Sequence, residues 1–242
     1  MNRILFEHGE IIDGAATIDD ARAEHILRVL HGEVGQTLKT GEIDGLVGTG
    51  VIAAIDGARV TVRLEHRCEA LAPWADLILA PPRPRVFKRL LPQLAALGVR
   101  NIFLVGARKV EKDFWGATVL KEENYRPLLV DGLMQAGTAA LPILHVRRNL
   151  RKFLAEELHA ALPSTRRVIA HPYATGGKPA DCGNAAIAKN DTLTLAVGPE
   201  GGWTDDEVSL FESHGFSRFS LGPRILRTDT ATVALLACLS QD

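Results

Sequence analysis

Over the first 70 residues, apolar and polar positions alternate in short runs broken by glycine. RILF (3–6), QTLKTGE (36–42), LVGTGVIAAI (46–55) and ARVTVRLEH (58–66) each predict a strand. Gly35, Gly41, Gly45, Gly48, Gly50 and Gly57 punctuate them. One run differs: in DDARAEHILRVL (19–30) the apolar residues Ile26, Leu27, Val29 and Leu30 fall at helical spacing. Together these elements predict a small β-barrel interrupted by one helix. EALAPWA (69–75) reads as a linker, and beyond it the period changes.

From there strands and helices alternate. The strands are DLILA (76–80), RNIFLVG (100–106), RRVIAHP (166–172), TLTLAVG (192–198) and FSRFSLG (216–222). The helices are 85–98, 121–137, 150–162, 204–215 and 230–240. That alternation predicts an α/β domain with a parallel sheet covered on both faces. The expected division is 1–70 for the barrel and 74–242 for the α/β domain. Pro92 and Pro127 fall inside predicted helices, where proline removes a helical hydrogen bond.

Composition narrows the class. Apolar residues make up 46% of 242, enough for a packed core. No run approaches the roughly 18 apolar residues of a membrane span, and MNRILFEHGE has no signal-peptide pattern. Cys68, Cys182 and Cys238 are odd in number and far apart, and the eight histidines form no ligand-spaced pair. No metal site and a cytoplasmic location are the resulting expectations. Net charge is only −1, but it is unevenly spread: −5 over residues 1–72, +6 over 73–160 and −2 over 161–242. The basic third, with Arg83, Arg85, Lys88, Arg89, Arg108, Lys109, Lys112, Arg147, Arg148, Arg151 and Lys152, is either a solvated surface or a phosphate-contacting stripe.

Two segments carry candidate chemistry. In LTLAVGPEGGWTDDEV (193–208) an apolar strand runs into Gly198-Pro199-Glu200-Gly201-Gly202, and Thr204 with Glu207 forms a capping-box pattern for the next helix. Such glycines let a backbone approach a ligand closely, in a position where α/β sheets bind ligands. A tight turn without a ligand would look the same. The spacing fits neither a Walker A loop nor a dinucleotide fingerprint, so a nucleoside is favoured over a phosphate. In FSLGPRILRTDTATVALLACL (219–239) a second Gly-Pro turn precedes Ile225, Leu226, Arg227 and a helix that Thr228 or Thr230 can cap. Arg227 and Asp229 are adjacent enough to be an ordinary ion pair.

GPEGGWTDDE followed by LGPRILRTDTA resembles the paired C-terminal motifs of SPOUT RNA methyltransferases, specifically the RsmE family. HILRVLHGEVGQTL (25–38) resembles that family's first domain. Departures are visible. Asp229 stands for the usual Glu, His31 for Arg, and Gln93 and Ala96 for Lys and Glu. MQAGT (134–138) keeps only part of another segment.

The resemblance implies a PUA-like N-terminal barrel and a C-terminal α/β domain with a trefoil knot. It implies S-adenosylmethionine as co-substrate, bound by His171, Pro172, Gly198, Glu200, Gly201, Gly202, Leu221, Gly222, Ile225, Leu226, Arg227 and Thr228. It implies methylation of N3 of a uridine, of the 1498 type, in small-subunit (16S) ribosomal RNA. Catalytic candidates are Arg227 as fixed cation, and Glu200 or Asp229 as proton acceptor or as the group orienting Arg227. The implied partners are small-subunit ribosomal RNA or the assembled subunit, and a second copy of the chain near the apolar run Val233–Leu239. A different RNA target, or a non-catalytic RNA-binding member of the fold, remains open at this point.

Overall fold

The computed structural model describes residues 3–164, 166–172 and 192–240. Cys182 lies outside them. The chain forms two compact units: residues up to Ala72 with Val130–Leu141, and Pro73–Leu129 with the chain from Pro142.

The first unit contains β1 (Ile4–Phe6), β2 (Ile11–Ile12), β3 (Ala15–Ile18), α1 (Ala21–Arg28), β4 (Thr37–Glu42), β5 (Leu46–Asp56) and β6 (Arg59–Glu69). Its sheet has the order β1-β4-β5-β6-β3-β2. β1 is parallel to β4 and the other neighbours are antiparallel. Register shifts at Val47/Gly48 and Ile52/Ala54 bend the long β5–β6 ribbon. Gly48 is required there, because a Cβ would fall 2.0 Å from the Glu65 carbonyl oxygen. Ile4, Phe6, Ile18, Ile52, Val60 and Val62 pack with Ala23 and Ile26 of α1. The predicted helix is thus real but shorter, with the Asp20 side chain accepting from Arg22 N at its start. β1 and β2 end the strand order, so the sheet is a half-barrel without a β1–β2 ladder, compatible with the small barrel expected. The pattern overlooked β2 and β3, which are too short to show a period.

The second unit contains β7 (Ala75–Leu79), α2 (Pro84–Ala96), β8 (Val99–Val105), the first part of α3 (Glu122–Ala136), and β9 (Ile143–Arg147). A helical stretch follows: α4 (Leu150–Lys152), a π-turn (Phe153–Glu157) and α5 (Leu158–Ala161). The wide turn brings Phe153, Leu154 and Leu158 all inward. Then come β10 (Arg166–Ala170), β11 (Leu193–Val197), α6 (Asp205–Ser213), β12 (Ser217–Phe219) and α7 (Thr228–Leu239). The sheet order is β12-β10-β11-β7-β8-β9, and every pairing is parallel. β9 was not legible in the pattern, because it is a half-exposed edge strand with Ile143 56% exposed.

Burial explains why β7 and β11 read as apolar runs: both are buried at every residue. The core includes Ile78, Phe103, Phe153, Trp203, Phe211 and Phe216. Asp76 is fully buried in β7 and is satisfied by Arg100 Nε at 3.1 Å and Asn101 Nδ2 at 2.8 Å. α2 and α3 run through Pro92 and Pro127. In α2 the lost hydrogen bond is offset by burial of Phe87, Leu90, Leu91 and Leu94. Among the described residues no helix is long and apolar enough to cross a membrane.

Candidate active site

Six parallel strands place all their carboxyl ends on one rim. β12, β10 and β11 are consecutive in the order, so the loops leaving them meet there. The strand order also reverses direction between β11 and β7, the position where open α/β sheets bind ligands. These loops enclose a cavity of about 260 Å³. Its wall contains His171 and Pro172 after β10; Gly198, Glu200, Gly201 and Gly202 after β11; and Leu221, Gly222, Ile225, Leu226 and Thr228 after β12. The binding residues expected from sequence therefore converge, with one exception. Arg227 does not line this cavity.

The loop after β11 is held from several sides. Thr204 and Glu207 form the expected capping box, with Thr204 N donating to Glu207 Oε2 at 2.8 Å. Arg108 N donates to the other oxygen of Glu207 at 2.8 Å. Lys109 Nζ donates to the Gly201 carbonyl at 2.7 Å, and Arg83 N to Glu200 Oε1 at 3.3 Å. Trp203 is buried edge-on against Phe211, and Gly198 sits so close that a Cβ would lie 3.1–3.2 Å from Trp203 atoms. Gly202 has φ +68°, which a side chain would strain.

The loop after β12 is open. Gly222 has φ +107°, and its N–H donates to Ser220 Oγ at 3.2 Å. Ile225 is 92% exposed. The N-cap of α7 is Arg227, with no side-chain cap, so neither threonine plays the capping part expected of it. Thr228 is instead buried in the first turn, and its hydroxyl donates to the Gly198 carbonyl at 3.4 Å. That bond ties the two loops together.

Two buried polar atoms in the wall have no hydrogen-bond partner among the described residues: His171 Nδ1 and Trp203 Nε1. Burial lowers the His171 pKa, and Arg218 and Lys109 push the same way against Asp205 and Glu212. His171 is therefore held toward its neutral form. Side-chain-free backbone at Gly201 and Gly202, apolar Leu221, Ile225 and Leu226, and orphan polar atoms together suit a nucleoside.

A second cavity of about 410 Å³ shares Glu200 and Gly201 with the first. Its other walls include Pro81, Arg83, Lys109, Glu111, Phe114 and Arg227. The three catalytic candidates thus separate. Glu200 stands between the cavities and Arg227 lines the second. Asp229 lines neither; it accepts from Arg89 Nη2 at 3.2 Å and lies 3.8 Å from Arg227 Nε. Sequence reasoning missed Trp203 as a wall residue, and took Arg83 and Lys109 only as part of a basic stripe. The Pro-Pro-Arg-Pro run (81–84) after β7 was the available signal, since it marks a rigid loop at a strand's carboxyl end.

A family model described as an RNA methyltransferase domain matches residues 70–240. A ribosomal RNA small subunit methyltransferase E of Treponema pallidum is 35% identical to the chain, covering 98% of it and 90% of that relative. The chain belongs to the RsmE family of RNA methyltransferases. A further RsmE relative, from Borreliella burgdorferi, is 24% identical over 97% of the chain and 95% of its own length. A Legionella pneumophila protein solved with S-adenosylmethionine bound has 26% identity, a TM-score of 0.75, and covers 98% of this chain and 96% of its own. The RsmE of Neisseria gonorrhoeae, also solved with S-adenosylmethionine, shares the fold at 22% identity and TM-score 0.73, covering 98% and 95%. Gln93 and Ala96, which depart from the RsmE pattern, are exposed on α2, so they change surface and not core. Thr138 is buried and donates to the Leu71 carbonyl at 3.3 Å.

Proposed function

We propose that the chain transfers a methyl group from S-adenosylmethionine to N3 of a uridine in small-subunit ribosomal RNA. The observation that carries this is the convergence of the loops after β10, β11 and β12 on one nucleoside-sized cavity, joined by Thr228 and Gly198. RsmE membership supplies the RNA class.

In this reading Gly198, Gly201, Gly202 and Gly222 present backbone to the donor's adenosine, and Leu221, Ile225 and Leu226 hold its ring. His171, neutral at the wall, and Trp203 offer their free nitrogens as hydrogen-bonding groups. When bound, the donor supplies an electrophilic methyl on its sulfonium. The target base enters the second cavity, across the shared wall at Glu200 and Gly201. Uracil N3 carries a proton that must leave as the methyl arrives. Glu200, which lines both cavities, accepts that proton. Arg227 stabilises the negative charge spread onto the uracil oxygens, held in place by Asp229. Asp229 is in turn fixed by Arg89. Alignment of N3 with the methyl is the remaining contribution of the chain.

The finer expectations belong to the same proposal. The N-terminal half-barrel is taken as PUA-like and RNA-binding. The loops of the second unit are taken to be threaded as a trefoil knot. A second copy is taken to assemble near α7, in the cytoplasm where the RNA resides. The deciding experiment incubates the protein with radiolabelled S-adenosylmethionine and small-subunit particles or their deproteinised RNA. Labelled 3-methyluridine is the expected product. Label in another nucleoside moves the target, a reading the departures at Gln93 and Ala96 favour, and no label on any RNA rejects the enzyme.

A further inference from the structure

The rim that holds the two cavities continues past β7 to β8 and β9. The segment after β8 carries Arg108, Lys109 and Lys112, and the segment after β9 carries Arg148, Arg151 and Lys152. The two segments touch: a Cβ on Gly106 would lie 2.1 Å from the Arg148 carbonyl oxygen. The guanidinium carbon of Arg148 sits 5.4 Å from the centre of the Trp115 ring, and its Nη2 donates to the Trp115 carbonyl at 3.4 Å. Arg148 is exposed and Trp115 half-buried.

Neighbouring charges are partly spoken for. Arg147 pairs with Glu157 at 2.6 Å, and Glu111 faces Arg83. Among the described residues Arg148 and Arg151 have no carboxylate within ion-pair distance, although Asp206 and Glu207 line the hollow beside them. Lys109, Val110, Glu111 and Phe114 already form a wall of the second cavity. Trp115 is the next residue in the chain, so the segment that walls the second cavity leads on to the Trp115–Arg148 pair. From β11 to β9 is three strand spacings, about 14 Å. That is the reach of a few nucleotides of single strand.

We propose that a single-stranded RNA segment follows this rim, its phosphates against Lys109, Arg148 and Arg151, with one base a few nucleotides from the reactive one stacked at Trp115–Arg148. Aromatic rings and guanidinium planes are the surfaces on which unpaired bases stack, whatever their sequence. The proposal rests on the preceding reading in taking RNA as the substrate and the second cavity as the place of its target base.

The test uses the full chain, fluorescein-labelled decauridylate read by anisotropy, and calorimetry with S-adenosylmethionine as a check of the fold. Trp115→Ala is expected to weaken decauridylate binding about tenfold, with Trp115→Phe retaining most of the affinity. Arg151→Ala is expected to lower the slope of log affinity against log salt by about 0.7, one single-strand phosphate contact. If Trp115→Ala loses donor binding as well, the Arg151→Ala slope decides alone. Unchanged affinity and salt slope in both variants overturn the track, as does a Trp115→Ala chain whose change in sedimentation shows that the residue holds two copies together. Methyl transfer to deproteinised small-subunit RNA separates the two readings. Transfer together with unchanged affinity and salt slope in both variants sinks the track alone. Trp115-dependent binding with no transfer to any RNA sinks the enzyme alone.

Discussion

The loops after β11 and β12 face the same cavity but are built in opposite ways. The first is locked by a capping box, a lysine on its carbonyl, a backbone amide on Glu200 and a buried tryptophan. The second keeps one local turn and then exposes residues 223–227 to solvent. Thr228 connects it to the first through the Gly198 carbonyl. A locked loop can supply shape before any ligand arrives. An open loop carries groups whose burial waits for one. Stability and ligand affinity should therefore respond together to changes in the first loop and separately in the second.

The sharpest way to break that contrast is Gly198→Val. Its Cβ alone meets Trp203 at 3.1–3.2 Å, and the added methyls have no room. A cost of about 2–3 kcal/mol is expected from overpacking, lowering the melting temperature and weakening S-adenosylmethionine binding by about 100-fold in calorimetry. Normal melting with normal binding would show that the first loop is not a fixed cradle. Next in size is Arg227→Ala, at the end of the open loop. Here kcat is expected to fall by about 100-fold, the order seen for loss of one transition-state donor. Donor affinity and melting temperature should stay put, because Arg227 is exposed and lines only the second cavity. A fall in donor affinity would return Arg227 to the binding role read from sequence.

Thr228→Val probes the joint between the loops. It keeps the shape and removes the hydroxyl that reaches Gly198, at a cost of about 1 kcal/mol. That corresponds to roughly 2–4 °C in melting temperature for a chain of this size. Donor affinity should fall about fivefold as the loops lose register. Ile225→Ala is smaller and one-sided. The side chain is 92% exposed, so melting should not move, whereas donor affinity should drop by about threefold if the ring covers it. A melting change with unaltered affinity would reverse the assignment of that residue.

The same contrast explains what the sequence made legible. The locked loop declares itself, because its devices are local: an apolar strand, glycines and a Thr204–Glu207 box, all between Leu193 and Glu207. The parallel sheet is legible for a similar reason, since β7 and β11 are buried on both faces and contain one polar residue each, Asp76 and Thr194. What escaped depends on distant partners. Thr228 looks like a cap until β11 brings Gly198 beside it, 30 positions away. Arg227 reads as part of the first cavity because its neighbours in sequence, Leu226 and Thr228, line it, yet it lines the other cavity. Trp203 follows the glycines directly, but only the packing of Phe211 shows that it forms a wall. β9 escaped because an edge strand with exposed Ile143 and Val146 has no clean alternation.

The smallest expected effect falls on His171, a wall residue from the segment after β10. Burial lowers its pKa, and the cations Arg218 and Lys109 add to this against Asp205 and Glu212. A histidine whose folded pKa lies below its unfolded value, near 6.5, takes up a proton more readily when unfolded. Its contribution is then intact above about pH 6.5 and is lost as pH falls from there through the folded value. His66 and His145 are shifted the same way by burial, so acid sensitivity of the wild type does not isolate His171. The difference between wild type and His171→Asn does. The urea midpoint of the wild type is expected to fall more between pH 7.5 and 5.5 than that of the variant. Donor affinity should follow the same course, since a protonated His171 would add positive charge to a cavity that takes a cationic donor. Parallel declines in the two proteins would place the acid sensitivity in the other two histidines and remove His171 from the electrostatics of the site.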